Sequence, residues 1–176
     1  MGHSGLLMAP TGSGKTLALG IPILTGANRN SKGLQSLWIT PLKALSQEIY
    51  QALSRANDEL NLSLTIGLRN GDTSNKERSA QRKGLPQILV TTPESLQLLL
   101  ATKGYSELFK NLKSIIVDEW HDLYASKRGA LLELGLSRLK AIQPTLQLWG
   151  ISATIGDPLV ALSVLKGELV SQETLP

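Results

Sequence analysis

Short apolar runs alternate along the chain with longer stretches whose apolar residues recur every three or four positions. The first kind of run suits a buried strand and the second an amphipathic helix. Strands are expected at residues 5–8, 35–40, 62–68, 87–91, 114–118 and 145–152. The clearest helix lies between the second and third of these. There Leu42, Leu45, Ile49, Leu53, Ala56 and Leu60 form one face, and Lys43, Gln47, Gln51 and Arg55 fall largely off it. Shorter helices are expected at 15–24, 74–82, 94–102, 130–142 and 158–165, with Pro22 bending the first or ending it early. Strand and helix in alternation predict an α/β fold whose mainly parallel sheet carries crossover helices on both faces.

With 176 residues the chain has the length of one domain. Its 41% apolar content is enough to bury a core, and 18% charged residues is too few for a disordered tail. There is no cysteine. That excludes a disulfide framework, a thiolate zinc site and a cysteine nucleophile, leaves oxygen or histidine as the only metal ligands, and fits a reducing cytosol. No run approaches the roughly 18 apolar residues of a membrane span, and Met1-Gly2-His3-Ser4 does not lead into a signal peptide. The expected location is therefore the cytoplasm, with no membrane partner. A net charge of +4 leans toward anionic partners, although 18 basic against 14 acidic residues is a mild excess. Both ends look cut, so residues 1–176 read as one domain of a longer protein.

Ala9-Pro10-Thr11-Gly12-Ser13-Gly14-Lys15-Thr16 follows an expected strand and opens an expected helix, which is the setting a Walker A phosphate loop requires. Small residues let successive backbone N–H groups and the helix N-terminus point at phosphate. Thr11, Gly12, Ser13, Gly14, Lys15 and Thr16 are the candidate nucleotide ligands, with Lys15 reaching the β- and γ-phosphates and Thr16 offering its hydroxyl to Mg²⁺. Ala9 departs from the usual glycine, but the core of the motif is intact. A chance match in this length is on the order of one per cent.

Ile115-Ile116-Val117 then delivers Asp118 and Glu119 to the C-terminal end of a strand, where open parallel sheets bind ligands. Asp118 suits a Mg²⁺ ligand and Glu119 a base for the attacking water. Alone, such a pair is as often a solvated loop. Together with a phosphate loop, it points to nucleotide hydrolysis by Lys15, Asp118 and Glu119.

Asp118-Glu119-Trp120-His121, the loop at residues 9–16, Ser152-Ala153-Thr154, Thr40-Pro41-Leu42-Lys43-Ala44-Leu45 and Thr92-Pro93-Glu94-Ser95-Leu96 stand in the order of superfamily 2 helicase motifs. The chain resembles that family over nearly its whole length. Gly71-Asp72-Thr73, Ser126-Lys127-Arg128-Gly129 and residues 149–156 make it more similar to the Lhr-like group, in particular to bacterial ligase-associated DExH-box DNA helicases. The resemblance implies the first of two RecA-like P-loop NTPase domains, a three-layer sandwich that uses ATP and Mg²⁺. It also implies 3′ to 5′ movement on single-stranded DNA, a role in DNA repair in the bacterial cytosol or nucleoid, and a DNA ligase or nuclease as partner.

By the same resemblance Thr40, Pro41, Lys43, Gly71, Asp72, Thr73, Thr92, Pro93 and Glu94 are candidates for strand contact, and His121, Ser152 and Thr154 for coupling. Small hydroxyls, backbone N–H groups and an occasional lysine hold phosphates without reading sequence. Glu94 cannot favour phosphate directly and is expected to cap its helix or orient a neighbour. Residues 69–83 hold five basic and two acidic side chains and read as a solvated helix face. Trp38 and Trp149 are expected in the core, with Trp120 undecided, and base stacking is weakly supported by seven aromatics. An RNA helicase, a duplex-DNA remodelling ATPase and a nucleotide-responsive binding module remain alternatives. A small-molecule kinase is disfavoured by the carboxylate box and Ser152-Ala153-Thr154.

Overall fold

The structure is a computed structural model that describes residues 4–10, 12–123, 126–153 and 168–171. In chain order its elements are β1 (Gly5–Met8), α1 (Lys15–Gly26), β2 (Ser36–Ile39), α2 (Lys43–Glu59), β3 (Ile66–Arg69), α3 (Asn75–Lys83), β4 (Ile88–Thr91), α4 (Pro93–Leu100), α5 (Tyr105–Phe109), β5 (Ser114–Val117), α6 (Trp120–Leu123), α7 (Lys127–Ile142), β6 (Gln147–Ser152) and β7 (Glu168–Ser171). The strands form one sheet in the order β3-β4-β2-β5-β6-β1-β7, and every pairing is parallel.

Alternation along each strand divides the core in two. On one face Leu37, Ile39, Leu89, Ile115, Val117 and Leu148 pack with Leu96, Phe109, Leu136 and Leu139 of α4, α5 and α7. On the other, Trp38, Ile88, Val90, Ile116 and Ile151 pack with Leu19 and Ile23 of α1 and Ile49 and Leu53 of α2. The expected three-layer α/β architecture is therefore present.

Several boundaries differ from the sequence expectation, each for a physical reason. The third strand starts at Ile66 and not at 62, because Asn61 and Ser63 take positive φ. Leu62 and Leu64 are buried all the same, from an irregular segment pinned by Asn57, whose side chain accepts from Leu64 N at 3.0 Å. α1 does not end early at Pro22 but runs on to Gly26. An internal proline costs about 3 kcal/mol, and burial of Leu19, Ile23 and Leu24 on both sides of it offsets that cost. Leu42 and Leu60, at the ends of the α2 apolar pattern, fall outside the helix and are exposed. β7, α5 and α6 are additions to the expected set. The helix expected at 158–165 lies outside the described residues.

Trp38 is buried as expected, and Trp120 joins the core as well. Trp149 is half-buried against the α1–α2 side. The loop between α1 and β2 is held from beneath by Gln87, whose buried amide donates to Asn28 O at 3.1 Å, Arg29 O at 3.3 Å and Ser31 O at 2.9 Å. The same side chain accepts from Thr65 N at 2.9 Å. Replacing it by leucine strips partners from several polar groups at once, and each buried group left unpaired costs about 1–3 kcal/mol. We expect Gln87→Leu to lower the unfolding free energy by about 2–4 kcal/mol, read from chemical denaturation midpoints.

Candidate active site

Because the strands are parallel, their C-terminal ends share one edge, and the sheet order decides which loops become neighbours there. β5, β6 and β1 are adjacent, so the carboxylate pair, Ser152-Ala153 and the phosphate loop stand side by side. Main-chain hydrogen bonds carry the ladder past the strand ends: Ala9 N donates to Ser152 O at 3.3 Å, and Asp118 N to Ile39 O at 2.8 Å. Thr40 N donates to Thr91 O at 3.0 Å, which extends the tie to the loops after β2 and β4.

Gly12 and Gly14 take φ of 80° and 85°, a left-handed conformation that favours glycine, and Gly14 is the N-cap of α1. The loop closes on the Pro10 carbonyl, which accepts from Ser13 Oγ at 2.7 Å and from Lys15 Nζ at 2.9 Å. Lys15 Nζ also donates to Ala9 O at 2.6 Å. Thr16 is half-buried in the first turn of α1, on a cleft it shares with Leu45, Glu48 and Arg55 of α2. Thr11 lies outside the described residues.

Asp118 is buried at 4% exposure, and its Oδ1 accepts from Glu119 N at 2.9 Å. Burial is the main cause that raises its pKa to about 6, and the Glu119 charge adds to the rise. The backbone N–H of Glu119, the nearby Trp38 indole and the Lys15 ammonium act in the opposite sense. The Trp38 N–H does so without completing a hydrogen bond. A carboxylate that is buried with no salt bridge among the described residues, and separated by β6 from the strand leading into the phosphate loop, suits a divalent cation held mostly by phosphate and water. Among the described residues no group of three or more His, Asp or Glu forms an all-protein metal cage.

Glu119 has φ of 48°, unusual for a residue with a side chain. This reversal starts α6 one residue beyond the carboxylate pair. Glu119 Oε2 sits 3.3 Å from His121 Nδ1 without hydrogen-bond geometry. His121 Nδ1 lies 3.0 Å from Ser152 Oγ, so two of the three coupling candidates are in contact. The third, Thr154, lies outside the described residues. A cleft lined by Leu42, Leu45, Glu48, Glu119, His121 and Ala153 opens beside this pair.

The strand-contact candidates follow β2, β4 and β3, on the other half of the same edge. Lys43 Nζ pairs with Asp72 Oδ1 at 2.7 Å, with both side chains exposed. The lysine lies over Gly71, where a Cβ would stand 2.6 Å from Lys43 Cε. Thr73 Oγ1 accepts from Asn70 N at 2.9 Å. Thr40, Pro41, Thr92 and Pro93 are buried, and the Thr92 hydroxyl caps α4 by accepting from Ser95 N at 3.4 Å. Glu94 does not cap the helix and instead orients a neighbour, accepting from Arg128 Nε at 2.5 Å.

Two basic residues were not singled out by sequence reasoning. Arg78 donates to Thr73 O at 2.9 Å and to Asn70 O and Gly71 O at 3.0 Å each, fixing the loop after β3. Arg69 is not on a solvated face but buried, bonded to Gln81 Oε1 at 3.1 Å. Burial, then Arg78 and Arg82, pull its pKa below the ordinary arginine value. The only sequence signal for either was the local excess of positive charge.

The DEAD/DEAH box helicase family matches over residues 1–162, so the chain belongs to that family. It is 38% identical to the Lhr helicase/probable uracil glycosylase of Mycolicibacterium smegmatis over 95% of this chain and 12% of that protein. To the ATP-dependent helicase Lhr-Core of Methanothermobacter thermautotrophicus it is 35% identical over 88% of this chain and 20% of that one. A solved structure of Mycobacterium smegmatis helicase Lhr bound to single-stranded DNA and AMP-PNP superposes with a TM-score of 0.78 at 36% identity, covering 97% of this chain and 23% of the other. The chain thus spans between 12% and 20% of the length of these two curated relatives.

The Asp118 shift has a defined effect on stability. The unfolded value is 3.8 and the folded value about 6, so the folded chain holds the extra proton between them and loses stability as pH rises through that window. In chelator, Asp118→Asn should raise the unfolding free energy by about 1–3 kcal/mol at neutral pH and far less near pH 4.5. Denaturation at the two pH values checks this, and equal changes would remove burial as the cause.

Proposed function

We propose that the chain is the ATP-binding RecA-like domain of a motor that hydrolyses ATP to move on single-stranded DNA, 3′ to 5′, in DNA repair. The observation that carries the reading is the shared sheet edge. The phosphate loop follows β1, the carboxylates follow β5 and Ser152 ends β6, and the Asp118 N to Ile39 O bond joins them to the half bearing the strand-contact candidates. Relatives named as ATP-dependent helicases, and an Lhr structure bound to single-stranded DNA and AMP-PNP, support it.

In this reading backbone N–H groups of residues 11–16 hold the phosphates, and Lys15 neutralises charge on the β- and γ-oxygens. Thr16 and Asp118 hold Mg²⁺, which supplies further charge neutralisation at the phosphates. Glu119 accepts the proton of the attacking water, and His121 with Ser152 relays the state of that site across the strand ends. A second RecA-like domain supplies arginine to the γ-phosphate and closes around the DNA strand. Among the described residues no helix is long and apolar enough to cross a membrane.

Steady-state ATP hydrolysis by the full natural chain, with single-stranded DNA, duplex or RNA added, tests the proposal. Single-stranded DNA should stimulate most, and Lys15→Ala or Glu119→Gln should each lower the stimulated rate by about a hundredfold or more. Greater stimulation by RNA or duplex would move the activity to those tracks. Residues 1–176 alone should turn over slowly, because an arginine from a facing domain is worth about 10³–10⁵ in rate. A fragment as fast as the full chain would overturn the two-domain reading.

A further inference from the structure

Arg128 makes contacts that the nucleotide chemistry does not require. It lies at the start of α7, whose N-cap is Ser126, with Ser126 Oγ accepting from Gly129 N at 3.1 Å. From there the guanidinium reaches two separate loops. Nε donates to Glu94 Oε1 at 2.5 Å, and Nη2 donates to the main-chain carbonyl of Pro41 at 2.7 Å. Glu94 is in the first turn of α4 after β4, and Pro41 follows β2. These are two of the three loops nominated for strand contact.

The other end of the connection leads to the carboxylates. α6 follows Glu119 directly, and its first residue, Trp120, is buried in the same core as Leu132, Leu136 and Leu139 of α7. α7 is held against α4 at Gly135, where a Cβ would stand 3.0 Å from Gln97 Nε2, and Gln97 Nε2 donates to Leu131 O at 2.6 Å. Arg128 therefore projects from a packed helix onto two loops whose strands are neighbours in the sheet, joined there by the Thr40 N to Thr91 O bond. An ordinary exposed ion pair would be worth little, but a planar fork with two donors fixes the distance between two acceptors in a way that lysine cannot.

We propose that Arg128 is a positioning residue: it sets the spacing of the loops after β2 and β4 and ties them to the carboxylate segment, so that DNA binding and ATP hydrolysis are coupled through it. The inference rests on the functional reading above. It does not require Arg128 to touch DNA, and that separates it from another phosphate contact.

The test uses the full natural chain and single-stranded DNA, with ATP hydrolysis measured against DNA concentration and salt. Arg128→Ala should leave the DNA-free rate and the thermal midpoint nearly unchanged and raise the DNA concentration for half-maximal stimulation by about tenfold, within the usual span of coupling between sites. Arg128→Lys, which keeps the charge but not the fork, should fall between the two, at roughly threefold. Combined with Glu94→Gln, Arg128→Ala should give less than the product of the two single effects, because both remove the same contact. The slope of log affinity against log salt should not change, whereas loss of a direct phosphate contact would lower it by about one.

A wild-type chain indifferent to DNA removes the functional reading and this inference with it. A wild type stimulated by DNA, with Arg128→Ala showing the same half-saturation, removes this inference alone. So does a parallel fall in DNA-free rate and thermal midpoint, which would mark a merely structural role. Should Arg128→Ala fail to fold, Arg128→Lys decides: unchanged half-saturation overturns the proposal.

Discussion

Parallel pairing of the seven strands among the described residues is the constraint on which everything else rests. It puts every strand's C-terminal end on one edge, so loops far apart in sequence are separated only by strand spacings of about 4.8 Å. Sheet order then assigns the neighbours. Residues 9–16, 118–121 and 152–153 meet because β1, β6 and β5 adjoin, and the loops after β2, β4 and β3 continue the row. Burial on both faces holds the arrangement, since a slip of one residue in β2 would exchange Trp38 with Leu37 and Ile39 between two differently shaped cores.

Within that frame the site places charge where the fold alone would not. Asp118 is a carboxylate at a strand end whose pKa burial raises to about 6, and among the described residues it forms no salt bridge. Apolar strand residues before it and core-bound Trp120 after it leave little room to move toward water. Hydrogen bonds run sideways along the edge from here, from Asp118 N to Ile39 O through the backbone and between His121 and Ser152 through their side chains. The two halves of the edge are thus joined by adjacent main chain and single side chains.

Local chemistry made much of this legible in the sequence. Gly12 and Gly14 declare a turn opening a helix at Lys15, and an apolar run ending in Asp118 and Glu119 a strand end carrying two carboxylates. Each signal lies within a few residues of its partner. What escaped was non-local or short. α5 and α6 have five and four residues, too few to establish a helical period. β7 is also short and pairs with β1, its sequence-distant neighbour. Arg128 bonds to residues 34 and 87 positions away, and no spacing rule reports such a contact. The burial of Thr40 and Thr92 is set the same way: Thr40 N bonds to Thr91 O on the neighbouring strand and Thr92 caps α4, contacts that no local spacing reports.

The backbone at Glu119 carries a wider implication. A left-handed φ costs a residue with a Cβ about 1–2 kcal/mol, and glycine almost nothing. At this position the chain's conformational preference and its chemistry oppose each other. Glycine would relax the turn into α6 and strengthen the fold, while deleting the carboxylate at the strand end. Selection for thermostability would therefore tend to erase that carboxylate, and a stabilised version of the domain that keeps it has to draw its gains from elsewhere in the sheet.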